Sequence, residues 1–371
     1  MKILIYLLLL SAPLIVYPFS IDSFQIKTLL ITMTGLLCLG KIRSFKPDIA
    51  CLYFGWCLLS FLWCGYPLGH PAIELLQLIA YFGIYIWARD NIKSENIGKV
   101  ILLAAAITAG YNFYLMGFKP IPTAQGTSFV NPNIYAGWLV LVLPVVLAEA
   151  LSGKLKYKIV NWLIFGFGLV ALYFTGCRSA MLGLVAALAA FSAFKWGKKG
   201  VAIVVVIIGL FGAIWHPGNI ALLDPIRTRF WNGALDLIQS QPWTGYGIGS
   251  FRVMYPRFKY QSVNFEDSGN THLLGNSHNW SFQMISEIGI IGLGIFLLML
   301  WRILKRADDQ DLVLIAMIAA VFGSLIDGFY NVALQYSVCG LMFWLYLGIL
   351  SGSGKEEEHA LWRYDLPFLD W

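Results

Sequence analysis

Long apolar runs alternate with short polar connections along the chain, and one place breaks the rhythm. Runs of about 17–22 residues predict helices at 3–19, 24–41, 48–64, 71–88, 98–116, 131–151, 158–175, 178–195, 200–215, 280–304, 311–329 and 335–350. At 1.5 Å per residue, such helices cross a hydrocarbon layer ~30 Å thick. The expected architecture is an all-α integral membrane protein of about twelve transmembrane helices. The apolar/polar alternation of a membrane β-barrel is absent. The polar interruption, His216–Asn279, divides the chain into helices 1–9 (1–215), a long loop (216–279), helices 10–12 (280–350) and a tail (351–371).

Composition agrees with the pattern. Hydrophobic residues make up 58% and charged residues 12% of the 371, with a mean hydropathy of +0.70; soluble domains carry about 25% charge. A net charge of +6 looks basic, but its placement argues for orientation and against nucleic acid. Alternate connections hold Lys41, Arg43 and Lys46; Arg89, Lys93 and Lys99; Lys154, Lys156 and Lys158; Lys195, Lys198 and Lys199; Arg302, Lys305 and Arg306. The opposite connections carry little beyond Lys27, Lys119 and Arg178. Lys and Arg favour the cytoplasmic side, so both termini are expected in the cytoplasm and the 216–279 loop in the periplasm. The first run follows Lys2 without a small-residue cleavage site, which predicts a retained helix. Six scattered cysteines lack metal-ligand spacing, and only Cys64 and Cys177, near helix ends, are candidates for a disulfide. The tail, with its Glu356–Glu358 run, receives no function.

The loop has structure of its own. Ile226, Phe230, Ala234, Leu237 and Ile238 are spaced for a helix over 225–239, with Asp224 as a candidate cap. Pro242 and the glycines Gly245, Gly247 and Gly249 end it, and 255–268 reads as irregular. Its many aromatics argue against disorder.

Charge near a bilayer is costly and points to function. The expected topology puts Arg178, Glu74, Asp327, Glu287 and His278 in the outer half of the membrane. Arg178 begins a helix, where free N–H groups and the helix dipole favour an anion, and its guanidinium suits phosphate oxygens. The alternative is snorkelling, or pairing with Glu74, Glu287 or Asp327. His278 precedes an apolar helix and is suited to accept a proton near neutral pH; the plainer reading is an interfacial or capping residue. Asn279, Gln283 and Glu287 form a polar stripe at four-residue steps. His272 is a weaker candidate. Arg227 and Arg229 can neutralise a diphosphate or simply be solvated. The glycine run follows no strand, so it is not a dinucleotide fingerprint. Neither a zinc signature nor a serine elbow is present.

Four segments together resemble the O-antigen ligase and polymerase superfamily. They are Gly126 to Asn133; Cys177 to Ala180; Arg229 to Trp231 with Ala234, Pro242 and Gly245 through Phe251 to Tyr255; and Ser277-His278-Asn279 leading into Glu287-Ile288-Gly289-Ile290-Ile291-Gly292. The resemblance covers roughly 120–300. It implies a GT-C-like glycosyltransferase that moves a glycan from an undecaprenyl diphosphate donor to a hydroxyl, with no metal, nucleotide sugar or other cofactor. Its partners would be that donor, membrane lipids, and as acceptor the lipid A-core or another lipid-linked glycan. His278, Arg229 and Arg178 become the expected catalytic residues, with Arg227, Arg252, Arg257, Asn279, Glu287, Asn133, Gly247 and Tyr246 binding substrate. Glu287 or Asn279 would orient the imidazole. Ligase is favoured over polymerase, with protein O-glycosylation a third acceptor choice. A flippase, which would string cations through the membrane depth, is the competing class.

Overall fold

The computed structural model describes residues 1–15, 23–42, 45–65, 67–118, 127–129, 131–152, 155–200, 202–204, 206, 225–259, 276–307 and 311–354. Among these there are helices and turns and no strand. The α-helices are α1 (Lys2–Ser11), α2 (Ser23–Leu39), α3 (Ile49–Ser60), α4 (Gly69–Asn91), α5 (Ser94–Phe118), α6 (Pro132–Ser152), α7 (Leu155–Phe174), α8 (Arg178–Trp196), α9 (Pro225–Ser240), α10 (Phe251–Lys259), α11 (Trp280–Arg306), α12 (Leu312–Gly328) and α13 (Ser337–Gly352). Six of them (α4 to α8 and α11) contain a stretch long and apolar enough to cross a membrane, and α1, α2, α3, α12 and α13 are shorter and apolar. Eleven predicted spans thus overlap helices. Most of the segment predicted at 200–215 lies outside the described residues, as do Asp224, Lys154 and the tail beyond Gly354.

α6 is apolar all round and buried from Ile134 to Val146, the pattern of a central helix. α7, by contrast, turns Ile159, Leu163, Tyr173 and Phe174 outward. Where helices cross closely, glycine makes room: a Cβ on Gly183 of α8 would lie 2.7 Å from the Gly323 carbonyl of α12.

Two polar clusters tie together helix ends on one face. Asp48 caps α3 through Ala50 N (3.0 Å) and accepts from Arg89 Nη1 (2.8 Å) and Tyr85 OH (2.7 Å) at the end of α4. Ser94 at the start of α5 donates to Asp311, the cap of α12. Lys46, Arg89 and Lys93, three of the cations assigned to inner connections, flank these clusters. The opposite face collects the starts of α4, α6, α8 and α13 and the end of α12.

Two expectations need correction. The run 280–304 reads as one helix, yet Gly289 has φ 72°, ψ 179°, a conformation essentially confined to glycine. The rings of Trp280 and Phe296 lie 5.3 Å apart, whereas residues sixteen positions apart on a straight helix are about 24 Å apart. α11 is therefore two helices, α11a (280–288) and α11b (290–306), folded back on each other. The stretch 255–268 was expected to be irregular, but its first part is helical in α10. Phe251, Met254 and Tyr255 share a face that packs on Phe230, Ala234 and Leu237 of α9 and on Phe282 of α11a, a small core separate from that of the bundle.

Gly289→Ala is expected to destabilise the protein by ~1–3 kcal/mol from positive φ alone, while Gly294→Ala, with open space around it, stays near wild type. Thermal unfolding of both variants in detergent checks this; equal midpoints contradict the break.

Candidate active site

A helix broken inside a membrane protein exposes carbonyls at one new end and N–H groups at the other. Here the glycine loop supplies both sets of partners. Tyr246 N donates to Ser286 O (2.9 Å) and Gly247 N to Glu287 O (2.7 Å), while the Trp56 indole of α3 takes Ile288 O (2.9 Å). In return Ile290 N donates to Pro242 O (2.8 Å) and Ile291 N to Trp243 O (3.2 Å). Gly245, Gly247 and Gly249 all have positive φ. They also lie too close for a side chain: a Cβ on Gly247 would meet Ser60 O at 2.5 Å, and one on Gly249 would meet Pro71 Cα at 2.8 Å.

Glu287 joins the loop from the other side. Its Oε2 accepts from Gly249 N (3.1 Å), and its Oε1 from Phe251 N (3.4 Å) and Gln283 Nε2 (3.2 Å). Phe251 opens α10, so the carboxylate sits at a helix N-terminus, where the dipole favours it. Gln283 in turn accepts from Ser277 N (3.1 Å). Gln283 and Glu287 of the predicted polar stripe therefore form one connected line from Ser277 to the glycine loop.

His278 stands at the head of α11a, the one non-glycine residue with positive φ (52°) among the described residues. Its backbone N–H is held by Asn276 Oδ1 (3.2 Å), and its ring lies 5.2 Å from that of Phe230. Phe230 is on α9, the helix that carries Arg227 and Arg229, so His278 packs against the arginine-bearing helix. Arg227 Nη1 donates to Tyr330 O (3.1 Å), and the Trp231 ring lies tilted at 56° to the Tyr330 ring, 5.6 Å away. The side chains of Arg229 and Arg257, and all of His272, fall outside the described residues.

Asn331 connects these parts, and sequence reasoning missed it. Its Nδ2 donates to Asn133 O at the start of α6 (3.1 Å) and to Asp327 Oδ2 (3.1 Å), and its O accepts from Trp280 N (3.2 Å). The same Nδ2 lies 4.0 Å from Cys177 Sγ, beside Arg178. The starts of α6, α8 and α11a thus meet at the end of α12. The only advance sign of this was a polar residue four positions after Asp327.

Asn279 Oδ1 caps α11a through Phe282 N (3.0 Å), and the Glu287 carboxylate bonds the glycine loop. Arg178 is exposed and makes no ion pair among the described residues, so the pairings with Glu74, Glu287 or Asp327 are not formed. Arg252 lies near His70 and Glu74, which contact each other at 3.8 Å, on the α4 side of the site. Tyr246 OH shares a hydrogen bond with Ser240 Oγ (2.8 Å). Lys27, counted as a loop charge, is buried in α2, donates to Ser128 O and lies 5.0 Å from the Phe129 ring centre. Cys64 and Cys177 are both free. Burial and the Asp327 carboxylate push the Cys177 thiol up to about 11, too high for a nucleophile at neutral pH. Burial likewise pushes Tyr255 up to about 12.

Beneath α11a lies a cavity of about 110 Å³, lined by Glu74, Gln77 and Tyr81 of α4, Gln283 and Glu287 of α11a, and Trp344 of α13 among others. The acidic residues therefore divide: Glu74 and Glu287 face this cavity, and Asp327 stands apart with Asn331.

The segment from α7 to α11, residues 163–297, matches the family described as O-antigen ligase. The match supports membership of the O-antigen ligase superfamily. It contains Arg178, α9, the glycine loop, His278 and the Gly289 break, and it supports a membrane glycosyltransferase of the ligase or polymerase type acting on lipid-linked glycans. No curated protein matches the chain.

Asn331→Ala removes the bonds to Asp327 and Asn133 together and is expected to cost ~1–3 kcal/mol. Unfolding in detergent measures it; a loss below ~0.5 kcal/mol would remove Asn331 as the connecting residue.

Proposed function

We propose that the chain is an O-antigen ligase, an inverting, metal-independent glycosyltransferase that moves a glycan from undecaprenyl diphosphate to a hydroxyl of the lipid A-core. It sits in the bacterial inner membrane as a multi-pass protein with both termini cytoplasmic and the site facing the periplasm. The 216–279 segment is its periplasmic loop, between nine helices and three. The Lys- and Arg-rich connections at the opposite face support this orientation.

The observation that carries the reading is the contact of His278 with Phe230 on the arginine-bearing helix α9, at the membrane face where α8 begins with Arg178. In the reaction, the acceptor hydroxyl attacks the anomeric carbon while the imidazole of His278 takes its proton. The bond from that carbon to the phosphate oxygen breaks, and the diphosphate leaves with the electron pair. Its growing negative charge is stabilised by Arg229 and Arg178, with Arg227 beside them. Attack opposite the leaving group inverts the centre. In this reading Asn279, Glu287 and the Tyr246 to Gly249 backbone shape the site, and Asn133, Arg252 and Arg257 supply further substrate contacts.

Purified protein in proteoliposomes, supplied with donor, lipid A-core and EDTA, tests this. Wild type is expected to label lipid A-core. His278→Ala should lose ~10²–10⁴-fold, and Arg178→Ala and Arg229→Ala ~10²–10³-fold. Lengthening of the donor glycan alone identifies a polymerase; donor movement across the bilayer without transfer identifies a flippase. Full activity of His278→Ala removes the base from the mechanism.

A further inference from the structure

The hydrogen bonds of Glu287 have a direction. Through Gly249 N and Phe251 N they fix the start of α10 (3.1 and 3.4 Å). α10 packs Phe251 and Tyr255 against each other at 5.1 Å and Tyr255 against Phe230 at 5.5 Å. Phe230 meets the His278 ring and lies one turn from Arg227 and next to Arg229 in sequence. On its own helix, Glu287 is linked through Gln283 to Ser277, the residue before His278. Two routes therefore leave one carboxylate, and they reach the base and the arginine helix from opposite sides.

We infer that Glu287 is a positioning residue that sets the distance between His278 and the α9 arginines, by holding the glycine loop and α10 against α11a. The carboxylate suits this role because it accepts several N–H groups at once, and because an anion at the start of α10 complements the helix dipole. Its main-chain carbonyl is bonded to Gly247 in the same splice, so loop and side chain move as one unit. An Asp at this position would fall one methylene short. A Gln would keep one acceptor and turn a donor toward a backbone N–H.

As the catalytic part of this inference rests on the proposed transferase, the test has two arms on the full-length protein. In proteoliposomes, Glu287→Gln is expected to lower kcat on the order of 10–100-fold, the scale of a small misplacement of reacting groups, with donor and acceptor KM within ~3-fold of wild type and the pH profile unmoved. In hydrogen exchange, Glu287→Gln should speed exchange in peptides covering 249–259 by ~10-fold or more and leave α12 unchanged. Glu287→Asp, which keeps the charge, should fall between wild type and Glu287→Gln in both arms.

Other outcomes overturn the inference. A raised KM with unchanged kcat makes Glu287 a substrate contact. A shifted pH profile makes it a proton partner of His278. Unchanged exchange at 249–259 means that it does not hold the loop. Should wild type transfer nothing while Glu287→Gln still frees 249–259, the transferase reading fails and the structural hold remains.

Discussion

A polypeptide within a bilayer cannot leave backbone groups unpaired, because no water is present to take them. α11 breaks at Gly289, and the glycine loop is the answer to that break. It provides N–H groups to the carbonyls of one half-helix and carbonyls to the N–H groups of the other. The loop fits only because its glycines have positive φ and lack side chains where α3, α4 and α11 approach it. Break and loop therefore require each other, and a substitution on either side exposes partners on both.

What the break achieves is placement. α11a starts beside Asn331, just past the end of α12, and finishes against Trp56 of α3. It thereby closes over a cavity lined by Glu74, Gln77 and Gln283, and sets His278 at its head. The cations come from elsewhere, Arg178 from the start of α8 and Arg227 from α9. His278 and the arginines on separate elements, joined by Phe230 and Asn331, suit the proposed reaction, which needs charge stabilised on one side of a sugar and a proton removed on the other.

Much of this was legible in the chain. Span positions followed from apolar run length, which the bilayer sets directly, and α9 from its 3.6-residue spacing. His278 and the arginines stood out because charge near a membrane is rare. The break at Gly289 was not legible, since Glu287-Ile288-Gly289-Ile290-Ile291 continues an apolar run and glycine is common in membrane helices. Its partner lies forty residues away, in a loop whose glycines signalled only freedom. α10 was obscured by Pro256 and its short length, although Phe251 and Tyr255 already had helical spacing. Lys27 was counted with the loop charges, because nothing near it in sequence reveals the Ser128 carbonyl that receives its ammonium. Asn331 gathers contacts from three distant segments, which no local pattern encodes.

The central claim is that the base and the arginines face each other across the bound donor. A structure of the protein with an unreactive undecaprenyl diphosphate glycan analogue tests it most directly. The account predicts the diphosphate between Arg178 and the arginines of α9, with the anomeric carbon turned toward His278. A diphosphate bound away from both arginine positions, or a His278 ring turned away from the anomeric carbon with the bundle otherwise unchanged, would contradict it.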